Sequence, residues 1–132
     1  MRRSLFCAIA VAALASASLC GCDDYIGHRK AFQAAANLTG GNPETGRDRI
    51  QQYGCRGCHT IPGIPGAEAL VGPPLIHWSK RVYIAGELPN TPENLMRWLQ
   101  HPPQVEPKTA MPDMGITEQD SRDIAAYLYS LQ

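Results

Sequence analysis

The sequence predicts an all-α fold of about three to four short helices, joined by long Pro- and Gly-rich loops and wrapped around one covalently bound group. Three observations carry that expectation. Cys55-Arg56-Gly57-Cys58-His59 is a C-x-x-C-H run, the spacing at which a c-type haem is attached. Helix starts are written at Asn42-Pro43, at Thr91-Pro92 and at Thr117, each a capping side chain placed ahead of a proline or of acidic residues. The stretch 61–89 between the first two starts is rich in Pro and Gly, and a loop of that length is uncommon in a compact domain unless it has a task.

In chain order, the N-terminus comes first. Arg2 and Arg3 lead into the apolar stretch Leu5 to Ala15, the pattern of a secretory signal and too short for a stable membrane span. Leu19-Cys20-Gly21-Cys22 resembles a bacterial lipobox, which makes residues 1–21 a lipoprotein signal peptide and Cys22 the lipidated first residue of the mature chain. The alternative is ordinary cleavage after Ala15-Ser16-Ala17, giving a soluble periplasmic protein. That route strands Cys20 and Cys22 as exported thiols too close together to pair comfortably. The five cysteines support lipidation: Cys7 and Cys20 leave with the signal, Cys22 takes lipid, Cys55 and Cys58 take haem, and none is left over. Asp23 resembles the residue that keeps such lipoproteins in the inner membrane, on whose periplasmic face the domain is expected.

Residues 22–41 read as a tether, with glycines, mixed charges and the cluster Ala34-Ala35-Ala36 but no sustained apolar stripe. It has room for one short helix; as flexible coil its ends would lie on the order of 25 Å apart. The domain proper is expected over 42–132. Its first helix takes Asn42 as N-cap and Pro43 at the first helical position, runs through Gly46 and Ile50 to about Tyr53, and stops at Gly54 in a left-handed conformation. Gly46 in mid-helix costs about 1 kcal/mol against alanine, which points to a close helix crossing.

The C-x-x-C-H run follows. Two thiols three positions apart can each bond a different vinyl group of the haem while the adjacent imidazole ligates the iron, so Cys55 and Cys58 anchor and His59 coordinates. Two other uses of such a pair fit the sequence less well. A redox dithiol opens a helix after a strand, and no strand-like run precedes Cys55. A zinc site needs two further ligands at suitable spacing, which the sequence does not supply.

The loop 61–89 can then wrap the ring and bury it against Ile61, Ile64, Leu70, Val71 and Leu75. The next helix has Thr91 as N-cap, Pro92 at the first position and Glu93 in the first turn, with Leu95, Met96, Trp98 and Leu99 as its apolar face. Pro102 and Pro103 end it. The last helix starts at Thr117 and carries Ile124, Ala125, Tyr127, Leu128 and Leu131 at helical spacing. Between these two helices, Thr109-Ala110-Met111-Pro112-Asp113-Met114-Gly115 offers a sixth iron ligand. Met111 is the candidate, since it lies in a Pro-bounded loop with no helical stripe to fill; Met114, His77 and His101 are the other possibilities. A methionine opposite a histidine raises the reduction potential and makes the iron an electron carrier.

Formal net charge is zero and no basic run is long enough to suggest a nucleic-acid partner, so none is expected and bulk charge does not name the partner. From Gly46 to Leu131 the motifs resemble, in order, those of the class I cytochrome c domain: Gly46 and Ile50, the C-x-x-C-H run, Gly72-Pro73-Pro74-Leu75, Met111-Pro112 with Gly115, and Ile124-Ala125-Ala126-Tyr127-Leu128. The resemblance implies that the Pro73 carbonyl accepts from the His59 ring, that Arg81 reaches a haem propionate, and that Trp98 packs beside the haem near Met111. It also implies that Gly46 and Ile50 cross the last helix at Tyr127 and Leu128.

A narrower likeness covers His59-Thr60-Ile61-Pro62-Gly63, Val71 to Leu75, Leu88-Pro89-Asn90-Thr91-Pro92-Glu93-Asn94-Leu95 and Met111-Pro112. These look like the haem domain fused to subunit II of caa-type cytochrome oxidases, here with a lipid anchor where the copper-binding domain would stand. The expectation is a membrane-anchored monohaem cytochrome, not an enzyme, with one covalent haem c. It would carry single electrons between a quinol-oxidising cytochrome complex and a terminal oxidase, and bind no small-molecule substrate. The alternative is a haem subunit of a periplasmic oxidoreductase or haem peroxidase complex.

Overall fold

The computed structural model describes residues 25–132. The signal peptide read over 1–21 and the lipidated Cys22 lie outside the described residues. Among the described residues there are five α-helices: α1 over residues 25–39, then α2 Pro43–Gln52, α3 Pro92–Gln100, α4 Pro102–Val105 and α5 Glu118–Ser130. Short 3-10 turns lie at Cys55–Gly57 and Trp78–Lys80, and one antiparallel pair joins β1 Tyr83–Ile84 to β2 Leu88–Pro89. The described chain divides into two units within α1, between Lys30 and Ala31. In the first, the Arg29 guanidinium stands 5.9 Å from the centre of the Tyr25 ring. No helix among the described residues is long and apolar enough to cross a membrane.

The second unit, Ala31–Gln132, differs from the expected tether over 31–41. Ala35 and Thr39 are buried, and Phe32 packs edge-on against Tyr127 with ring centroids 6.3 Å apart. The Thr39 hydroxyl donates to the Ala35 carbonyl and accepts from the Gly41 N–H. The physical reason is spacing: Phe32, Ala35, Ala36 and Thr39 recur at i, i+3, i+4 and i+7, a small-residue stripe whose low hydrophobicity hid it among alanines and charges.

α2 forms where its caps are written. Asn42 Oδ1 accepts from the N–H groups of Glu44 and Thr45 at 2.9 and 3.1 Å, Pro43 fills the first position, and Gly54 takes φ +73°. The Asn42 main-chain N–H also donates to Asp123 Oδ1 of α5 at 2.7 Å, tying the start of one helix to the middle of the other. A β-carbon at Gly46 would run into the main-chain carbonyl of Asp123, so these backbones touch. Gly46 therefore crosses α5 at Asp123 and Ile124, about one turn before the Tyr127–Leu128 position that the resemblance implies.

α3 is capped by the Thr91 hydroxyl, which accepts from Asn94 N–H, and it buries Leu95 and Leu99. The proline pair ends α3, as expected, and also opens the short α4, with Pro102 and Pro103 in its first turn. α5 is capped by Thr117, whose hydroxyl accepts from Asp120 N–H. It buries Ile124 through Leu128, and the core sits where α5 meets α2, α3 and the loop residues Ile61, Ile64 and Trp78.

Candidate haem site

One cavity of about 790 Å³ opens inside the second unit, a size common for cofactor sites. It is lined by all seven residues that the sequence assigned to the bound group: Cys55, Cys58, His59, Pro73, Arg81, Trp98 and Met111. They come from five separate stretches of chain, and each stretch is placed by a local feature.

Gly54 closes α2 in the left-handed region, and the 3-10 turn that follows presents Cys55 and Cys58; Cys58 is exposed and Cys55 half-buried. Burial pushes the Cys55 thiol up to about 11. A buried thiol raised in this way is a poor nucleophile. Nor do the described residues gather three or more His, Cys, Asp or Glu side chains in one metal-binding group, which zinc would require.

His59 Nδ1 lies 2.7 Å from the Pro73 carbonyl oxygen. A carbonyl accepts only, so the proton sits on Nδ1 and the lone pair is left on Nε2, the state a metal-binding imidazole requires. The 72–75 strand of loop is pinned beside the motif by Gly72 N–H to Cys58 O at 2.7 Å and Leu75 N–H to Thr60 O at 2.8 Å. Ile50, Leu95, Leu99, Ile124 and Leu128 supply an apolar floor.

The loop meets the cavity differently from expectation. Val71 and Leu75 line it, but Ile61 and Ile64 are packed into the protein core, and Leu70 is 83% exposed. Ile61 and Ile64 belong to the buried cluster that holds Ile124, Tyr127 and Leu128, and the Tyr127 hydroxyl donates to the Pro62 carbonyl between them at 2.7 Å.

Met111 and Met114 both line the cavity. Met111 is set by its N–H bond to the Thr109 hydroxyl, and the Gly115 turn by Asp113 Oδ1. His77 and His101 do not line it: His77 Nδ1 is bonded to the Gln132 carbonyl, and His101 stands 3.5 Å from Asp113.

Arg81 lines the cavity beside a residue that sequence reasoning missed, Trp78. Arg81 donates to the Pro74 carbonyl, and its guanidinium lies 5.0 Å from the centre of the Trp78 ring. Desolvation lowers its pKa, and among the described residues no carboxylate pairs with it. Trp78 is 4% exposed, lines the cavity, and its Nε1 is buried with no partner among the described residues. A half-exposed cation with no carboxylate partner and a buried orphaned donor side by side fit a group that brings an anion. Haem does so through its carboxylates, and the thiol pair, imidazole and thioether fit the rest of it. The only signal for Trp78 in the sequence was a large aromatic inside a Pro/Gly-rich loop.

Comparison with known proteins agrees with this geometry. The cytochrome c family model matches residues 43–132. The chain is 34% identical over 88 residues to a protein of Alkalihalophilus pseudofirmus named cytochrome c oxidase subunit 2; the match covers 66% of this chain and 25% of that protein. No solved structure matches the chain at a significant level. With the family's motifs placed around one cavity and its model matched over most of the length, this chain belongs to the cytochrome c family, as an electron-carrying class I haem c domain.

Proposed function

We propose that the chain is a membrane-anchored monohaem cytochrome that passes single electrons along a respiratory chain to a terminal oxidase. One observation carries the reading: Cys55, Cys58 and His59 line the same cavity as Met111, which lies 52 residues beyond His59 in sequence. In this reading Cys55 and Cys58 hold one haem through two thioether bonds, and His59 and Met111 ligate its iron. When bound, the haem supplies a one-electron couple; the protein orients it and keeps water from it. The Pro73 carbonyl fixes the His59 tautomer, Trp98 packs beside the Met111 loop, and Arg81 offsets the carboxylate charge.

The oxidase partner is supported by the relative's name, of which this chain spans a quarter of the length; a quinol-oxidising complex would be the electron donor. Lipid on Cys22 would hold the domain at the periplasmic face of the inner membrane and raise its local concentration at membrane partners. Mass spectrometry of the mature N-terminus tests that step, and an unmodified terminus at Ser18 refutes it in favour of a soluble periplasmic protein.

For the iron ligand, Met111→Ala is expected to abolish the methionine–iron charge-transfer band at the red end of the oxidised spectrum, while Met114→Ala keeps it. Loss of the band from the Met114 variant alone would overturn the assignment. Rapid carbon monoxide binding by the reduced wild type would favour a reactive haem subunit over an electron carrier.

A further inference from the structure

The side-chain amide of Asn90 has a fixed partner for each of its polar atoms. Nδ2 donates to the Trp78 carbonyl at 3.1 Å and to the Arg81 carbonyl at 3.0 Å, while Oδ1 accepts from the Tyr129 hydroxyl at 2.9 Å. Its main-chain N–H donates to the Val82 carbonyl at 2.9 Å. Two donors and an acceptor in one plane at this reach are what a primary amide offers; aspartate lacks the donors and glutamine is a methylene longer.

The clasp closes on the 3-10 turn Trp78–Lys80, whose C-cap is Arg81. Apart from Ser79, whose N–H and hydroxyl donate to the Leu131 carbonyl at the end of α5 at 3.2 and 2.9 Å, that turn has little to hold it. A single 3-10 turn has poor hydrogen-bond geometry, no side chain caps it, and the preceding His77 sits at φ +47°, in the left-handed region that disfavours a non-glycine residue. Asn90 ties both of its ends to α5 through Tyr129. The turn in its turn presents Trp78, with the orphaned Nε1, and Arg81, the unpaired cation, to the cavity. Asn90 itself does not line the cavity, so any effect it has on the bound group passes through those two.

We propose that Asn90 is a positioning residue for the haem: its amide clasps the carbonyls of Trp78 and Arg81 and so holds in place the two side chains that receive the haem carboxylates. The inference rests on the haem reading above. Its consequence is electrostatic. An ionised carboxylate near the iron favours the oxidised state, and donors held against that carboxylate offset its charge. Releasing the turn weakens the offset and admits water, and the midpoint potential falls.

The test uses pigmented holoprotein of the wild type and of Asn90→Ala, Tyr129→Phe and Trp78→Phe. Midpoint potential is measured by redox titration, and exchange of the Trp78 indole N–H by NMR, its resonance identified by its absence in Trp78→Phe. Asn90→Ala should lower the potential and speed that exchange about tenfold, the loss expected when one hydrogen-bonded clasp opens. Tyr129→Phe should shift both in the same direction by less, and in the Trp78→Phe background the Asn90→Ala shift in potential should shrink. A variant that melts earlier with its potential and indole exchange unchanged overturns the proposal, since Asn90 is then structural only; so does a full, additive shift in the Trp78→Phe background. If Asn90→Ala does not accumulate, Tyr129→Phe decides, and unchanged values overturn the proposal. A wild type whose pigment washes out in acidified acetone overturns the covalent-haem reading, and this inference with it.

Discussion

Gly72 lies directly against the imidazole of His59: a β-carbon there would stand 2.7 Å from Nδ1 and closer still to Cε1. The next residue, Pro73, supplies the carbonyl bonded to that same Nδ1. One two-residue step of chain therefore sets both the tautomer of the ring and how close the loop can come to it. Glycine is required here by close approach.

Gly72→Ala is accordingly expected to push the 72–75 loop away from the ring and stretch the His59–Pro73 bond. Overpacking of this kind costs about 1–3 kcal/mol. Urea unfolding of the purified holoprotein measures it, together with the yield of covalent haem, which should fall; full stability and yield would show that the loop gives way freely.

At Gly46 two effects oppose each other. Alanine would gain about 1 kcal/mol of helix propensity. Its methyl group, however, would meet main-chain atoms of Asp123, which cannot swing aside as a flexible side chain can. The steric term should win, and Gly46→Ala should lower the denaturation midpoint. A stabilised variant would mean that α2 and α5 can separate without loss.

The packing of 31–41 makes a prediction that a flexible tether would not. Phe32→Ala should destabilise the domain by about 1–2 kcal/mol through the lost edge contact with Tyr127. Tyr127→Phe should cost about 1 kcal/mol through the lost bond to the Pro62 carbonyl. Thermal melts of the two single variants and the double variant should show them coupled, since they share one side chain's position.

The Tyr53 hydroxyl donates to Asp120 at 2.7 Å, and Arg49 lies 2.7 Å from the same carboxylate. The Tyr53 bond foremost, with Arg49 adding, holds the Asp120 pKa below its ordinary value, while the same bond raises that of Tyr53. For Asp120 the stabilisation is complete above the unfolded value of about 4 and is lost as pH falls through the lower folded value. For Tyr53 it is present below the unfolded value of about 10 and is lost as pH rises through the raised one. Melting temperature measured across the acid range should therefore fall less steeply for Asp120→Asn than for the wild type; parallel curves would leave this cluster without a part in acid stability.

Local chemistry was legible in the sequence because it completes itself within a few residues. Asn42-Pro43, Thr91-Pro92 and Thr117 each satisfy helix-start donors from their own side chain, and the C-x-x-C-H run names its group by spacing alone. The stripe through Phe32 and Thr39 was missed because small residues bury well but score as weakly apolar. Ile61 and Ile64 were read toward the haem because apolar character shows that a residue is buried, not against what.

The sequence by itself thus determined the fold class, the helix caps, the cofactor attachment run and the candidate residues for its cavity. Tertiary structure decided the rest: that α2 crosses α5 at Asp123, that 31–41 packs into the domain, that Trp78 stands beside Arg81 in the cavity lining, and that Asn90 bonds the carbonyls of both. The first two relations join segments tens of residues apart, and the clasp at Asn90, though its carbonyl partners are near in sequence, is closed by Tyr129, 39 residues on. Which pair meets depends on how packed helices and loops share space, and no local propensity carries that information.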